Sequence, residues 1–142
     1  MPLQESPTTT LAHELRETLG RVVRRLRAEP GPSVGRLAVL GRLDRDGPSS
    51  ISDLAARERM RPQSMAQTVH DLEADGLVSR RPDPTDGRRA FIELTTPGRE
   101  LLWTTRAGRE SWLTDVLERE LDPGERRQLH EALLLLTRIA DA

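Results

Sequence analysis

Between Pro62 and Leu94 the hydrophobic period changes from that of a helix to that of a strand, so the chain is neither a plain helical bundle nor an all-β fold. Met65, Val69 and Leu72 form one apolar stripe at helical spacing. Pro62 suits the first helical position, and Gly76 suits the left-handed residue that closes the helix. Leu77 and Val78 then begin an extended run through Arg81. Pro82-Asp83-Pro84-Thr85-Asp86-Gly87 is dense turn chemistry, and Ala90, Ile92 and Leu94 alternate with Phe91 and Glu93. The pattern predicts a helix followed by a β-hairpin with a long tip.

The flanks read as helices. Residues 1–9, with Pro2, Pro7 and a threonine run, are expected to form a flexible arm. Leu11, Leu15, Leu19, Val22 and Leu26 then make a narrow seam that ends at Glu29-Pro30-Gly31-Pro32. Val34, Leu37, Leu40, Gly41 and Leu43 mark a second helix, closed by Asp46-Gly47-Pro48. Ser52 is the expected N-cap of a short third helix, Asp53 to Arg59, with Leu54 and Ala55 inward. Beyond the hairpin, Thr95 or Thr96 caps a long helix from about Pro97 to Leu121. Asp122-Pro123-Gly124-Glu125 carries a capping-box signature for a last helix to about Ala140. Leu129, Ala132, Leu133, Leu134, Leu135, Leu136 and Ile139 make that helix apolar over more than half its circumference, more than one covering surface requires. A second copy of the chain is the economical cover, hence a homodimer. The fold class expected is mainly α with a small β-hairpin wing. Residues 33–96 are expected to hold the short helices and the hairpin, between helical regions over residues 10–30 and 97–142.

Composition excludes several chemistries. The 142 residues include no Cys, which removes disulfides, thiolate catalysis, Cys-zinc sites and thiol redox sensing. There is no Lys, so all 22 basic residues are Arg; they face 23 acids, for a net charge of −1. Codon usage explains the missing Lys most simply, although Arg forks also suit phosphate and guanine. A nucleic-acid surface here must therefore be a local patch. The longest wholly apolar run, Ala132 to Leu136, is far short of a membrane span. The first 30 residues hold no apolar signal stretch, so a cytoplasmic protein is expected. The H-E-x-x-H pattern begun at His130-Glu131 fails at Leu134, and no G-x-S-x-G or G-x-G-x-x-G occurs. No enzyme, metal site or cofactor is expected.

Two helices joined by a tight turn can present the second to a major groove. Opposite the Met65/Val69/Leu72 stripe lie Gln63, Ser64, Gln67, His70 and Asp71, and Arg61 stands just before Pro62. Gln can pair with an adenine edge through donor and acceptor together. A solvated helix face looks similar, and it is the hairpin that tips the balance. Arg80, Arg81, Arg88 and Arg89 stand against Asp83 and Asp86 within ten residues. An Arg on a slender turn can enter a narrow minor groove. Asp86 is expected to hold the Arg88 guanidinium by a bidentate pair.

At this point the chain resembles the multiple antibiotic resistance regulators, the MarR-type winged helix-turn-helix family. The matching stretches are Leu40-Gly41-Arg42-Leu43, Ile51-Ser52-Asp53-Leu54-Ala55, Pro62-Gln63-Ser64-Met65 and Leu72 to Val78. The likeness continues through Asp83-Pro84-Thr85-Asp86-Gly87-Arg88 and Leu94-Thr95-Thr96-Pro97-Gly98, in register from about residue 10 to 140. The resemblance implies a winged helix-turn-helix DNA-binding region over residues 33–96 and a homodimer held by a helical dimerisation region over residues 10–30 and 97–142, with Leu11, Leu15, Leu19, Leu129, Leu133, Leu136 and Ile139 as interface candidates. It implies that Pro62–Asp75 is the recognition helix and that Gln63, Ser64, Gln67 and Thr68 fall at base- or phosphate-contacting places. Arg88 would be the minor-groove arginine with Asp86 as its orienting partner. Many relatives carry Arg where this chain has Thr85, so this wing has one charge less.

The resulting expectation is a sequence-specific regulator of double-stranded DNA on a palindromic operator. It would be a repressor relieved by a small aromatic or phenolic effector. The alternative is a winged-helix protein-interaction module without DNA binding, favoured by the near-zero charge and Thr85. The residues do not single out a ligand site; Trp103 and Trp112 read as core, and His13 as surface.

Overall fold

A computed structural model describes residues 6–142. It contains helices α1 (Pro7–Ala28), α2 (Val34–Asp46), α3 (Ile51–Arg57) and α4 (Pro62–Ala74), strands β1 (Val78–Pro82) and β2 (Ala90–Leu94), and helices α5 (Thr96–Glu120) and α6 (Pro123–Ala140). The chain divides into two compact units, one reaching Thr105 and one from Arg106 to Ala142.

Local chemistry sets most boundaries. The Oγ atoms of Ser6 and Ser33 accept the Thr9 and Arg36 N–H groups at 3.3 and 3.2 Å, capping α1 and α2. The arm expected over residues 1–9 is therefore helical from Pro7, with Ser6 as its cap; residues 1–5 lie outside the described residues. The third helix is also displaced from expectation. Its N-cap is Ser50, not Ser52, because the Ser50 Oγ accepts the Asp53 N–H at 3.1 Å. Ser49, just before it, is held extended by a two-way backbone bridge to Ile92, at 3.0 and 2.8 Å. Gly76 closes α4 with φ of 74°.

The core of the first unit draws on every layer of the winged helix. Val39, Leu40 and Leu43 of α2, Leu54 and Ala55 of α3, and Met65, Val69 and Leu72 of α4 are buried together. Val78, Ile92 and Leu102 complete the core from β1, β2 and α5. β1 and β2 pair antiparallel, with Val78 opposite Leu94 and Pro82 opposite Ala90. Arg42 fixes α2 against the end of α3 through Glu58 at 2.9 Å. At the return to α5, the Thr95 hydroxyl donates to the Gly76 carbonyl at 2.7 Å and accepts the Gly98 N–H at 3.1 Å. Gly98 lies so close to the Leu77 carbonyl that a Cβ there would stand 2.0 Å from its oxygen. That contact explains the Leu-Thr-x-x-Gly sequence after the wing.

In the second unit, α6 begins with the expected capping box. Asp122 accepts the Glu125 N–H at 2.8 Å, and Glu125 accepts the Asp122 N–H at 2.9 Å. No residue of α6 is buried within the chain, and Leu133, Leu134, Leu135 and Ile139 are all exposed. No helix among the described residues is long and apolar enough to cross a membrane.

Candidate nucleic-acid interface

α4 is anchored by its buried face and open on the other. Met65, Val69 and Leu72 are fully buried, while Gln63, Ser64, Gln67 and His70 are exposed and Thr68 is half-buried. The helix begins at Arg61-Pro62 with no side-chain cap, unlike α1, α2, α3 and α6. Its first N–H groups and positive dipole end are therefore available to an anion such as a phosphate. Two polar groups on its face are already engaged. Gln67 Nε2 donates to Asp71 Oδ1 at 2.9 Å, and Thr68 Oγ1 donates to the Ser64 carbonyl at 3.1 Å. Thr68 thus faces outward as an acceptor, not a donor.

The wing tip is built from backbone turns. Asp83 is buried, and its Oδ1 accepts both the N–H and the hydroxyl of Thr85 at 2.8 Å. These two bonds, the backbone one foremost, hold the Asp83 carboxyl below its ordinary value of 3.8. Asp83 N–H donates to the Arg89 carbonyl at 3.1 Å and closes the loop. Asp86 Oδ1 accepts the backbone N–H of Arg88 at 3.0 Å. The expected bidentate pair between Asp86 and the Arg88 guanidinium is not formed; Asp86 orients the backbone of Arg88 and leaves its side chain without an ion pair among the described residues. A carboxylate two residues upstream reaches that N–H through a short ring, whereas closing on the long guanidinium costs far more rotamer freedom. Thr85 serves the turn through Asp83.

The other arginines divide between two faces of the hairpin, as the strand period of two requires. Arg80 pairs with Glu73 of α4 at 3.0 Å. Arg81 stands on the other face, 3.6 Å from Glu93 and 6.0 Å from the Phe91 ring centroid. Arg89 lies 3.8 Å from Asp53 of α3. Arg80, Arg88 and Arg89 meet Ser50, Ile51 and Ser52 around a cleft of about 270 Å³. Arg81 is not part of it. The serine edge of this cleft comes with the cap at Ser50, which local sequence does not distinguish from Ser52. Arg61 and Arg88 are the members of the expected set without an ion pair among the described residues.

The remaining expected positions lie away from this surface. Leu11 and Leu19 of α1 are exposed and Leu15 is half-buried; on α6, Leu129, Leu133 and Ile139 are exposed and Leu136 half-buried. Trp103 is 56% exposed, against its expected place in the core, while Trp112 is half-buried and His13 is exposed. Among the described residues no cluster of His, Cys, Asp or Glu could hold a metal ion.

A model of the MarR family matches residues 31–89, from the turn before α2 to the end of the wing tip. An HTH-type transcriptional regulator of Mycobacterium tuberculosis is 34% identical over 134 residues, covering 92% of this chain and 93% of that protein. A crystal structure of a Pseudomonas aeruginosa protein described as a transcriptional regulator aligns with a TM-score of 0.77 at 37% identity, covering 97% of this chain and 98% of that one. A likeness in fold alone, at 21% identity and a TM-score of 0.69, extends to BpsR of Bordetella bronchiseptica over 90% of this chain and 98% of that one. The DNA binding of that protein is regulated by 6-hydroxynicotinic acid.

Proposed function

The chain belongs to the MarR family, and from that premise we propose that it is a homodimeric repressor of nearby genes, released from a palindromic operator by a small aromatic or phenolic effector. It is a DNA-binding transcriptional regulator and not an enzyme. In the proposed complex α4 enters the major groove, with Gln63, Ser64, Gln67 and Thr68 toward the bases. The wing places Arg88 in the minor groove, and Arg61, Arg80, Arg81 and Arg89 supply phosphate contacts. The observation that carries the reading is the pairing of an open polar face on a firmly anchored α4 with a wing tip whose Arg88 has no ion pair among the described residues.

The dimer rests on a separate observation. Apolar side chains remain exposed on α1 at Leu11, Leu19 and Val22, and on α6 at Leu129, Leu133, Leu134, Leu135 and Ile139. Faces of that size on a DNA-binding chain call for a partner, and a second copy suits a palindromic site. The effector class is supported by the ligand of the Bordetella neighbour, and a cytoplasmic location follows from the proposed target. The protein-interaction reading loses its ground, since relatives matching nine-tenths of the chain are transcriptional regulators.

The test is binding to the DNA upstream of its own gene. Selective binding that falls about 10³-fold between 50 and 200 mM salt is expected. Binding that ignores sequence, or no binding at all, would defeat the reading.

A further inference from the structure

We infer that Asp71 is a positioning residue for base recognition: it fixes the Gln67 amide so that its outward edge reads adenine. The inference rests on the reading of α4 as the recognition helix. A glutamine amide carries an acceptor and a donor of nearly equal size, and an unrestrained one presents either first. Here the choice is made by chemistry. Asp71 is one helical turn beyond Gln67, and its carboxylate is an acceptor only. The Gln67 nitrogen must therefore face it, as it does at 2.9 Å; the opposite orientation would set two acceptor oxygens together.

Asp71 is held in turn from behind. Its second oxygen lies 3.8 Å from the Arg36 guanidinium, which also binds Asp75 at 3.0 Å. Arg36 belongs to α2, so the amide is referenced to the domain scaffold and not only to its own helix. With one Nε2 hydrogen spent, Gln67 keeps its Oε1 acceptor beside the other Nε2 hydrogen. Adenine offers a matching donor at N6 beside an acceptor at N7. Guanine offers two acceptors there, cytosine one donor, and thymine an acceptor and a methyl group. Only adenine satisfies both free positions of the amide. Thr68, one residue on, does not compete as a donor because its hydroxyl hydrogen is already bound to Ser64.

The full-length protein is used to select a preferred duplex from random sequences. Affinities are then measured for that site, for each single base-pair change in it, and for an unrelated duplex. The expected site holds one A·T pair per half-site that is discriminated roughly fivefold to a hundredfold, the usual range for a bidentate contact, and Gln67→Ala abolishes that discrimination. Asp71→Ala lowers it at least threefold at that pair alone, while binding to the unrelated duplex is unchanged or tighter, since a negative charge has gone. Asp71→Glu keeps a carboxylate at the same helical spacing and restores most of the discrimination. A less than threefold effect of Asp71→Ala overturns the inference. So does an equal loss at every position, a Gln67-dependent position that prefers another base, no position that depends on Gln67, or no recovery with Asp71→Glu. If the parent protein selects no site, the recognition-helix reading itself fails; if it selects one and the variants fail as stated, the inference fails alone.

Discussion

Replacing Gly98 by Ala puts one methyl group where the wing returns to α5. The new Cβ would lie 2.0 Å from the Leu77 carbonyl oxygen and 2.9 Å from its carbon, where ordinary contact begins near 3.4 Å. Both atoms are backbone, so no side chain can swing aside. The first turn of α5 must move away by well over an ångström. That movement strains or breaks the Thr95 N–H bond to Leu77 at 3.2 Å and the Thr95 hydroxyl bond to Gly76 at 2.7 Å. Two hydrogen bonds at about 0.5–1.5 kcal/mol each, plus about 1–3 kcal/mol of overpacking, set the loss. Better helix propensity returns at most about 1 kcal/mol. The net expectation is a loss of about 3 kcal/mol, or a Tm lower by roughly 10 °C. Urea unfolding at fixed protein concentration measures it, because self-association makes apparent stability concentration-dependent. Gly108→Ala is the control: in the same helix, a Cβ at Gly108 meets nothing within 4 Å, so that variant gains up to about 1 kcal/mol. A Gly98→Ala protein as stable as its parent, with an unchanged m-value, would refute the argument.

Arg88→Ala should weaken DNA binding and flatten the salt slope by about two units in a dimer with two wings; an unchanged slope would take Arg88 out of the interface. Glu73→Gln releases Arg80 from its 3.0 Å pair and should tighten binding and steepen the slope by about the same amount; no change would place Arg80 away from phosphate. Leu133→Asp puts a charge on an exposed apolar face of α6 and should yield a monomer in sedimentation, whereas a persistent dimer would locate the interface elsewhere. The Asp83 carboxyl is held below 3.8 in the folded wing, so its contribution to wing stability is complete above that value and is lost as pH falls through the folded value. The Thr85 amide resonance should accordingly titrate with a midpoint below 3.8, and a midpoint at or above it would mean that the turn is not formed.

The helices and hairpin were legible because each is announced by chemistry within a few residues. Asp122-Pro123-Gly124-Glu125 contains both halves of its capping box, and the Met65/Val69/Leu72 stripe needs only a partner surface of any kind. What local sequence leaves undecided depends on contacts distant in sequence or on a choice between like groups. Ser50 and Ser52 have the same capping chemistry, and the bridge from Ser49 to Ile92, more than forty residues on, decides between them. Asp86 had a guanidinium and a backbone N–H within reach, and composition does not rank them. Ser6-Pro7 carries the same kind of start signal as Asp122-Pro123, but the β-branched threonines behind it suggested an arm. Periodicity placed Trp103 on a helix without saying which side of that helix is covered.

The near-zero net charge takes on a different meaning once the ion pairs are known. Acids do not dilute the candidate interface evenly; among the described residues Glu73, Glu93 and Asp53 each sit by one arginine and leave Arg61 and Arg88 without an ion pair. Two unpaired arginines per protomer are four in the proposed dimer. Counterion release from four contacts accounts for a fall in affinity of only about a hundredfold between 50 and 200 mM salt. A fall of about 10³ therefore requires that other arginines exchange a carboxylate for a phosphate. Arg80 and Arg89 are suited to this, since both border the cleft that also holds Arg88, and exposed pairs of their kind are worth only about 0–1 kcal/mol. Each exchange leaves an acid behind near the DNA, however, and its repulsion offsets part of the gain. The salt slope thus counts how many of these pairs open on binding, a number that net charge alone does not reveal.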